Sequence, residues 1–87
     1  MSDTYLLNKI SQSLKELCEK NNIKGIKKFS IVISNSSNIN ENILQEYLKL
    51  NNRYIITNEL QIIIEKDEIE DEMAIIHDIQ IENVIRD

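Results

Sequence analysis

The sequence predicts an α+β domain of two layers, in which two helices pack on one face of a small three-stranded mixed sheet in the order αβαββ. Three observations carry this. Two segments repeat apolar residues at three- and four-residue steps, and three others alternate apolar and polar residues. Isoleucine occurs 18 times against one Phe, three Tyr and no Trp, and β-branched side chains suit a pleated surface. Every element has one apolar side, so two layers bury them all. A chain of 87 residues buries only ~60–65% of its unfolded surface, enough for one modest core. The expectation is one domain over 1–87.

The first helix is expected over 4–20. Leu6, Leu7, Ile10, Leu14, Leu17 and Cys18 form its stripe, and Asp3 or Thr4 can cap its start. Asn21, Asn22 and Gly25 tolerate the left-handed backbone that often ends a helix. A strand over 26–34 alternates Phe29, Ile31 and Ile33 with polar residues, interrupted by Val32. The polar run Ser34-Asn35-Ser36-Ser37-Asn38 is turn chemistry. Asn38 and Glu41 approximate a capping box for a second helix over about 39–51, with Ile39, Ile43, Leu44, Tyr47, Leu48 and Leu50 as its stripe.

A second strand over 60–66 sets Leu60, Ile62 and Ile64 against Gln61, Ile63 and Glu65. Six of the eight residues from Glu65 to Glu72 are acidic, which suits a solvated loop or an exposed strand end. The last strand, over about 74–85, places Ile75, His77, Ile79 and Ile81 on one face. A crossover through a helix makes the first two strands parallel, and the last returns antiparallel. The order of strands in the sheet stays open. This phasing leaves Val32, Ile63, Ile76 and Val84 on the face away from the helices. They are either scattered exposed aliphatics or an apolar patch suited to a partner or to a second copy in a homodimer.

Composition excludes several functions. Net charge is −5, with +3 over residues 1–58 and −8 over 59–87. The acidic segment is either solvated surface or a docking site for a basic partner. Lys24, Lys27 and Lys28 are the one basic cluster, too small to neutralise a run of phosphates, so no nucleic-acid partner is expected. One His, one Cys and one Gly leave no zinc ribbon, no phosphate-cradling loop and no nucleophile–base pair. The acidic run lacks the glycine and ligand spacing of a calcium loop. No enzyme, cofactor or metal site is expected. His77 falls on an aliphatic strand face with no second ligand in view, and Cys18 on the apolar side of its helix, where a buried, inert thiol is expected. Met1-Ser2-Asp3-Thr4 is unlike a signal peptide, and no run approaches ~20 apolar residues. The expectation is a cytoplasmic protein with no membrane association.

In this element order the chain resembles the HypA/HybF family of hydrogenase nickel-incorporation proteins. The likeness runs through the amphipathic first helix, the Lys28–Ile33 strand, the Ser34–Ser37 turn, the helix opening Asn38-Ile39-Asn40-Glu41 with Leu44, Tyr47 and Leu48, the Glu59–Glu65 strand and the Ile76–Ile85 strand. The departures fall on the chemistry. The family begins Met-His-Glu, whose histidine the resemblance implies as a nickel ligand; here Met1-Ser2-Asp3 stands in its place, and a serine hydroxyl is a poor nickel ligand. The family's two Cys-x-x-Cys pairs, which form a zinc ribbon, have no counterpart; Lys66–Glu72 occupies that place. The resemblance implies a metallochaperone scaffold without its metals, whose protein partner would be a maturation GTPase or a hydrogenase-type enzyme. It further implies Lys9, Gln12, Ser13 and Glu16, on the polar side of the first helix, as contact residues.

Overall fold

The computed structural model describes residues 3–82. It contains α1 (Thr4–Asn21), β1 (Ile26–Ser34), α2 (Glu41–Asn51), β2 (Ile56–Asp67) and β3 (Ala74–Ile81), an α+β fold in the expected order. The sheet order is β2-β1-β3, with β1 parallel to β2 and antiparallel to β3. The most buried strand is thus the central one. Phe29, Ile31 and Ile33 are fully buried there, against Leu6, Ile10, Leu14 and Cys18 of α1 and Leu44 and Leu48 of α2. These side chains form a single cluster, so both helices lie on the same face.

The caps differ in detail from the sequence expectation. Asn22 is the left-handed residue that ends α1, with φ 53°. Gly25 has no positive φ; its missing side chain serves a close approach instead. A Cβ there would lie 3.0 Å from Glu82 Oε2, and its carbonyl accepts from the Glu82 N–H at 2.8 Å. The cap of α2 is Asn40 rather than Asn38, its side chain accepting from the Ile43 N–H at 2.8 Å. The Asp3 carboxylate makes no cap bond to α1. It reaches across to the Ser37 hydroxyl and the Asn38 N–H, both at 3.1 Å. In α2, Ile43 and Leu50 leave the expected stripe: Leu50 is 81% exposed, and Ile39, ahead of the helix, fills the core in their place.

One correction concerns the phase of β3. Ile76 pairs with buried Ile31, and His77 pairs with Ser30. Directly paired residues share a face, so Ile76 lies on the helix-covered side, while Ile75 and His77 lie on the opposite one. Asp78 then adopts φ 51°, a conformation Asp tolerates better than most residues. One extra residue enters β3 between the Ser30–His77 and Lys28–Gln80 pairs. This bulge inverts the alternation and returns Ile79 to the core side. Strict period-two reading through Asp78 puts the first half of the strand on the wrong face. Val84, and the rest of the expected strand beyond Glu82, lie outside the described residues.

Among the described residues no helix is long and apolar enough to cross a membrane. Cys18 is buried, and that burial raises its thiol pKa, holding it in the protonated, poorly nucleophilic form.

Candidate functional site

The uncovered face of the sheet is built from three cross-strand rows. Val32 lies between Glu65 and Ile75, Ser30 between Ile63 and His77, and Lys28 between Gln61 and Gln80. Ile63 is 43% and Ile75 45% exposed, and Val32 is half-buried between its neighbours. Of the four residues the sequence placed here, Val32 and Ile63 belong to this face, Ile76 does not, and Val84 lies outside the described residues. Ile75 is the aliphatic that the sequence reading missed. Only the bulge at Asp78 could have revealed it, since Ile75 and Ile76 are chemically identical and phase alone separates them.

A polar bridge crosses this apolar strip. His77 Nε2 lies 2.9 Å from Glu65 Oε1, spanning β1 diagonally from the Ser30 row to the Val32 row. His77 Nδ1 lies 3.1 Å from Asp78 Oδ2. A neutral ring can donate to one of these carboxylates, and a protonated ring to both. The bridge covers Ser30, which is 6% exposed. Past the Lys28 row, where β2 runs irregularly between Ile56 and Gln61, lies an open depression of about 490 Å³ lined by Lys27, Lys28, Glu59, Gln61 and Glu82 among others. Its walls are polar and offer no enclosed apolar pocket of the kind that holds small ligands.

A second cluster sits at the far end of β1. Because β2 and β3 flank β1 on opposite sides, the connection between them must pass over the end of the central strand. That path lays residues 68–73 against the serine turn. Asp71 Oδ1 accepts from the Ser34 hydroxyl at 2.7 Å and from the Ser36 hydroxyl at 2.5 Å. Lys9 Nζ donates to the Glu72 carbonyl at 3.1 Å, and Lys66 Nζ to the Ser37 carbonyl at 2.6 Å. The acidic run is therefore not wholly solvated: one of its carboxylates is a clasp. The two serine hydroxyls hold the Asp71 pKa below its ordinary value.

That shift carries a signed expectation. A carboxyl whose folded pKa is depressed contributes stability above its unfolded pKa and loses it as pH falls through the folded value. Wild type should therefore exceed Asp71→Asn in stability at neutral pH, and the two should converge in strong acid. Thermal melts by circular dichroism across the acid range check this. A constant gap between the two proteins would refute the clasp.

The helix candidates are all exposed on α1, but Lys9 is committed to the Glu72 carbonyl, and Gln12 Nε2 donates to Glu16 Oε2 at 3.3 Å. Ser13 is the remaining one. Among the described residues no three His, Cys, Asp or Glu side chains group where a metal ion could be held. His77, Glu65 and Asp78 come nearest, and their contacts are satisfied within the trio.

Comparison of the chain with protein-family models, with curated proteins and with solved structures returns no match. The class that the fold and site define is an αβαββ two-layer domain with one uncovered sheet face.

Proposed function

We propose that this is a small non-enzymatic interaction protein that docks through its uncovered sheet face. On this reading it is an accessory relative of the hydrogenase nickel-incorporation metallochaperones without their nickel and zinc ligands. The observation that carries the docking role is the diagonal of exposed Ile63, half-buried Val32 and exposed Ile75 on a face that neither helix covers. Exposed aliphatics gathered on one face mark interaction sites more often than scattered ones do. The metallochaperone relation is supported by the element order and by the short 68–73 connection at the place where that family carries its zinc domain.

Calorimetry tests both parts. A purified hydrogenase-maturation GTPase is expected to bind, and Ile63→Lys is expected to weaken binding by about tenfold or more, as loss of a central apolar anchor does. Nickel is expected to show no submicromolar site. A tight nickel site would overturn the loss of the metal role, and GTPase binding indifferent to Ile63→Lys would overturn the docking face.

A second reading, an unrelated αβαββ module that pairs with itself, is favoured by where the aliphatics fall. Ile63 and Ile75 are exposed on the open sheet face, whereas the outer side of α1 presents Lys9, Gln12, Ser13 and Glu16.

A further inference from the structure

The outer edge of β2 is open to pairing, and that of β3 is not. Both strands flank β1, and an edge strand presents unpaired N–H and C=O groups to another chain. In β3 the bulge at Asp78 interrupts the edge, a common protection against such pairing. β2 runs against β1 without a break from Gln61 to Asp67. The Asp67 carbonyl accepts from the Asn35 N–H, just past β1, at 3.0 Å. Alternation along the strand therefore turns the backbone groups of Gln61, Ile63 and Glu65 toward β1 and those of Ile62, Ile64 and Lys66 outward. Ile62 and Ile64 stay half-buried although they face the helices, because no strand among the described residues flanks them on the outer side.

The open stretch Gln61-Ile62-Ile63-Ile64-Glu65 is a palindrome in polarity centred on Ile63. A closed two-fold interface needs such a self-complementary surface. We propose that this stretch pairs antiparallel with the same stretch of a second copy, about an axis at Ile63 perpendicular to the sheet. Ile62 of each copy then exchanges both backbone hydrogen bonds with Ile64 of the other. Ile63 meets its own copy, and Gln61 stands opposite Glu65 of the second copy, within side-chain reach. His77 holds Glu65 Oε1, and the other carboxylate oxygen accepts from the Gln61 amide. That match is made twice. Shifting the register by two residues either way keeps the faces but sets Gln61 against Ile63, or Ile63 against Glu65, and loses it. The pairing ends at Leu60, where β2 turns irregular and the carbonyl accepts from Gln45 Nε2 at 3.2 Å, before Glu59 comes opposite Asp67. The antiparallel sense also keeps the two acidic 68–73 connections at opposite ends of the joined sheet. This edge contact is separate from docking on the open face and shares only Ile63 with it.

Sedimentation equilibrium on the full chain tests the proposal. The wild type is expected to be a dimer that dissociates on dilution. Ile64→Pro removes an outward N–H that β1 does not use, a change edge strands tolerate, and is expected to weaken the dimer tenfold or more while keeping its far-UV circular dichroism. Gln61 is exposed, so its variants read the register without disturbing the core. Gln61→Glu is expected to weaken the dimer about tenfold, because it sets like charges opposite Glu65 twice, and Gln61→Lys to tighten it about threefold or more. Mild oxidation of Ile63→Cys is expected to trap a disulfide-linked dimer, since two copies of residue 63 lie directly opposite; the native Cys18 is buried. Glu65→Cys is expected to give none, its own copy lying about 13 Å away along the strand. A wild type that stays monomeric at its solubility limit would overturn the second copy as the occupant and leave the open-face reading untouched. A dimer indifferent to Ile64→Pro and to both Gln61 variants would overturn the edge. Cross-linking of Glu65→Cys as readily as Ile63→Cys would overturn the register.

Discussion

Phe29→Ala is expected to destabilise the protein by about 3–5 kcal/mol, the usual loss for truncating a fully buried aromatic. A domain of this length holds roughly 4–13 kcal/mol in all, so the variant should be largely unfolded or close to it at room temperature. Phe29 is the only phenylalanine and has no exposed surface. It sits on the central strand beside Ile62, under both helices, where neighbours packed on every side cannot collapse into the space left behind. The rest of the buried core is five isoleucines, five leucines and Cys18, and the isoleucines are too stiff at χ1 to swing into a cavity of that size. Urea unfolding followed by circular dichroism measures the effect. Tyr54→Ala is the matched control: Tyr54 is 81% exposed and meets the Arg53 guanidinium 4.8 Å from its ring centre, so the change should be within about 0.5 kcal/mol. Equal losses at the two positions would refute the core assignment.

The second large effect belongs to a buried polar clasp. Asn52 comes directly after α2 and is 3% exposed; Ser11, in the middle of α1, is also 3% exposed. The Ser11 hydroxyl donates to Asn52 Oδ1 at 2.5 Å, and Asn52 Nδ2 donates to the Ser11 carbonyl at 3.0 Å. The Asn52 backbone N–H donates to the Leu48 carbonyl at 2.7 Å, and its own carbonyl accepts from the Ile55 N–H at 2.9 Å. One residue thus closes α2, fixes the chain entering β2 and ties both to α1. Asn52→Ala is expected to cost about 2–3 kcal/mol, because it strands the Ser11 hydroxyl in an apolar setting. A fall of about 10–20 °C in melting temperature should accompany it in a domain of this size. Ser11→Ala is expected to cost about 1–2 kcal/mol by the same logic. The double variant should cost less than the sum by about 1 kcal/mol, since removing both partners leaves no orphan. Strictly additive losses would show that the two side chains act independently.

Neither the clasp nor the Asp71 contact was visible in the sequence, and for a shared reason. Ser11 reads as one more polar residue beside a stripe, and Asn52 as a helix terminator; their meeting depends on how two helices are laid side by side. Asp71 reads as part of a repelling acidic run. Its position over Ser34 and Ser36 results from β2 and β3 flanking β1 on opposite sides, which adjacency along the chain does not reveal. The candidate face was legible in half. Val32 and Ile63 can be read from alternation in strands that stay regular where they pair. Ile75 cannot, because a single positive φ at Asp78 puts the two halves of β3 out of phase with one another.

By itself the sequence determined the element order, the bounds of β1, the core positions Leu6, Ile10, Leu14 and Cys18 of α1 and the two-layer packing. These are set by local periodicity, and a side chain's face within one helix or strand depends on its immediate neighbours. The tertiary structure alone decided the strand order β2-β1-β3, the bulge that puts Ile75 rather than Ile76 on the open face, and the polar clasps at Asn52 and Asp71. Each of these joins residues far apart in the chain, and such contacts are settled by how whole elements pack, a choice that no short window of residues encodes.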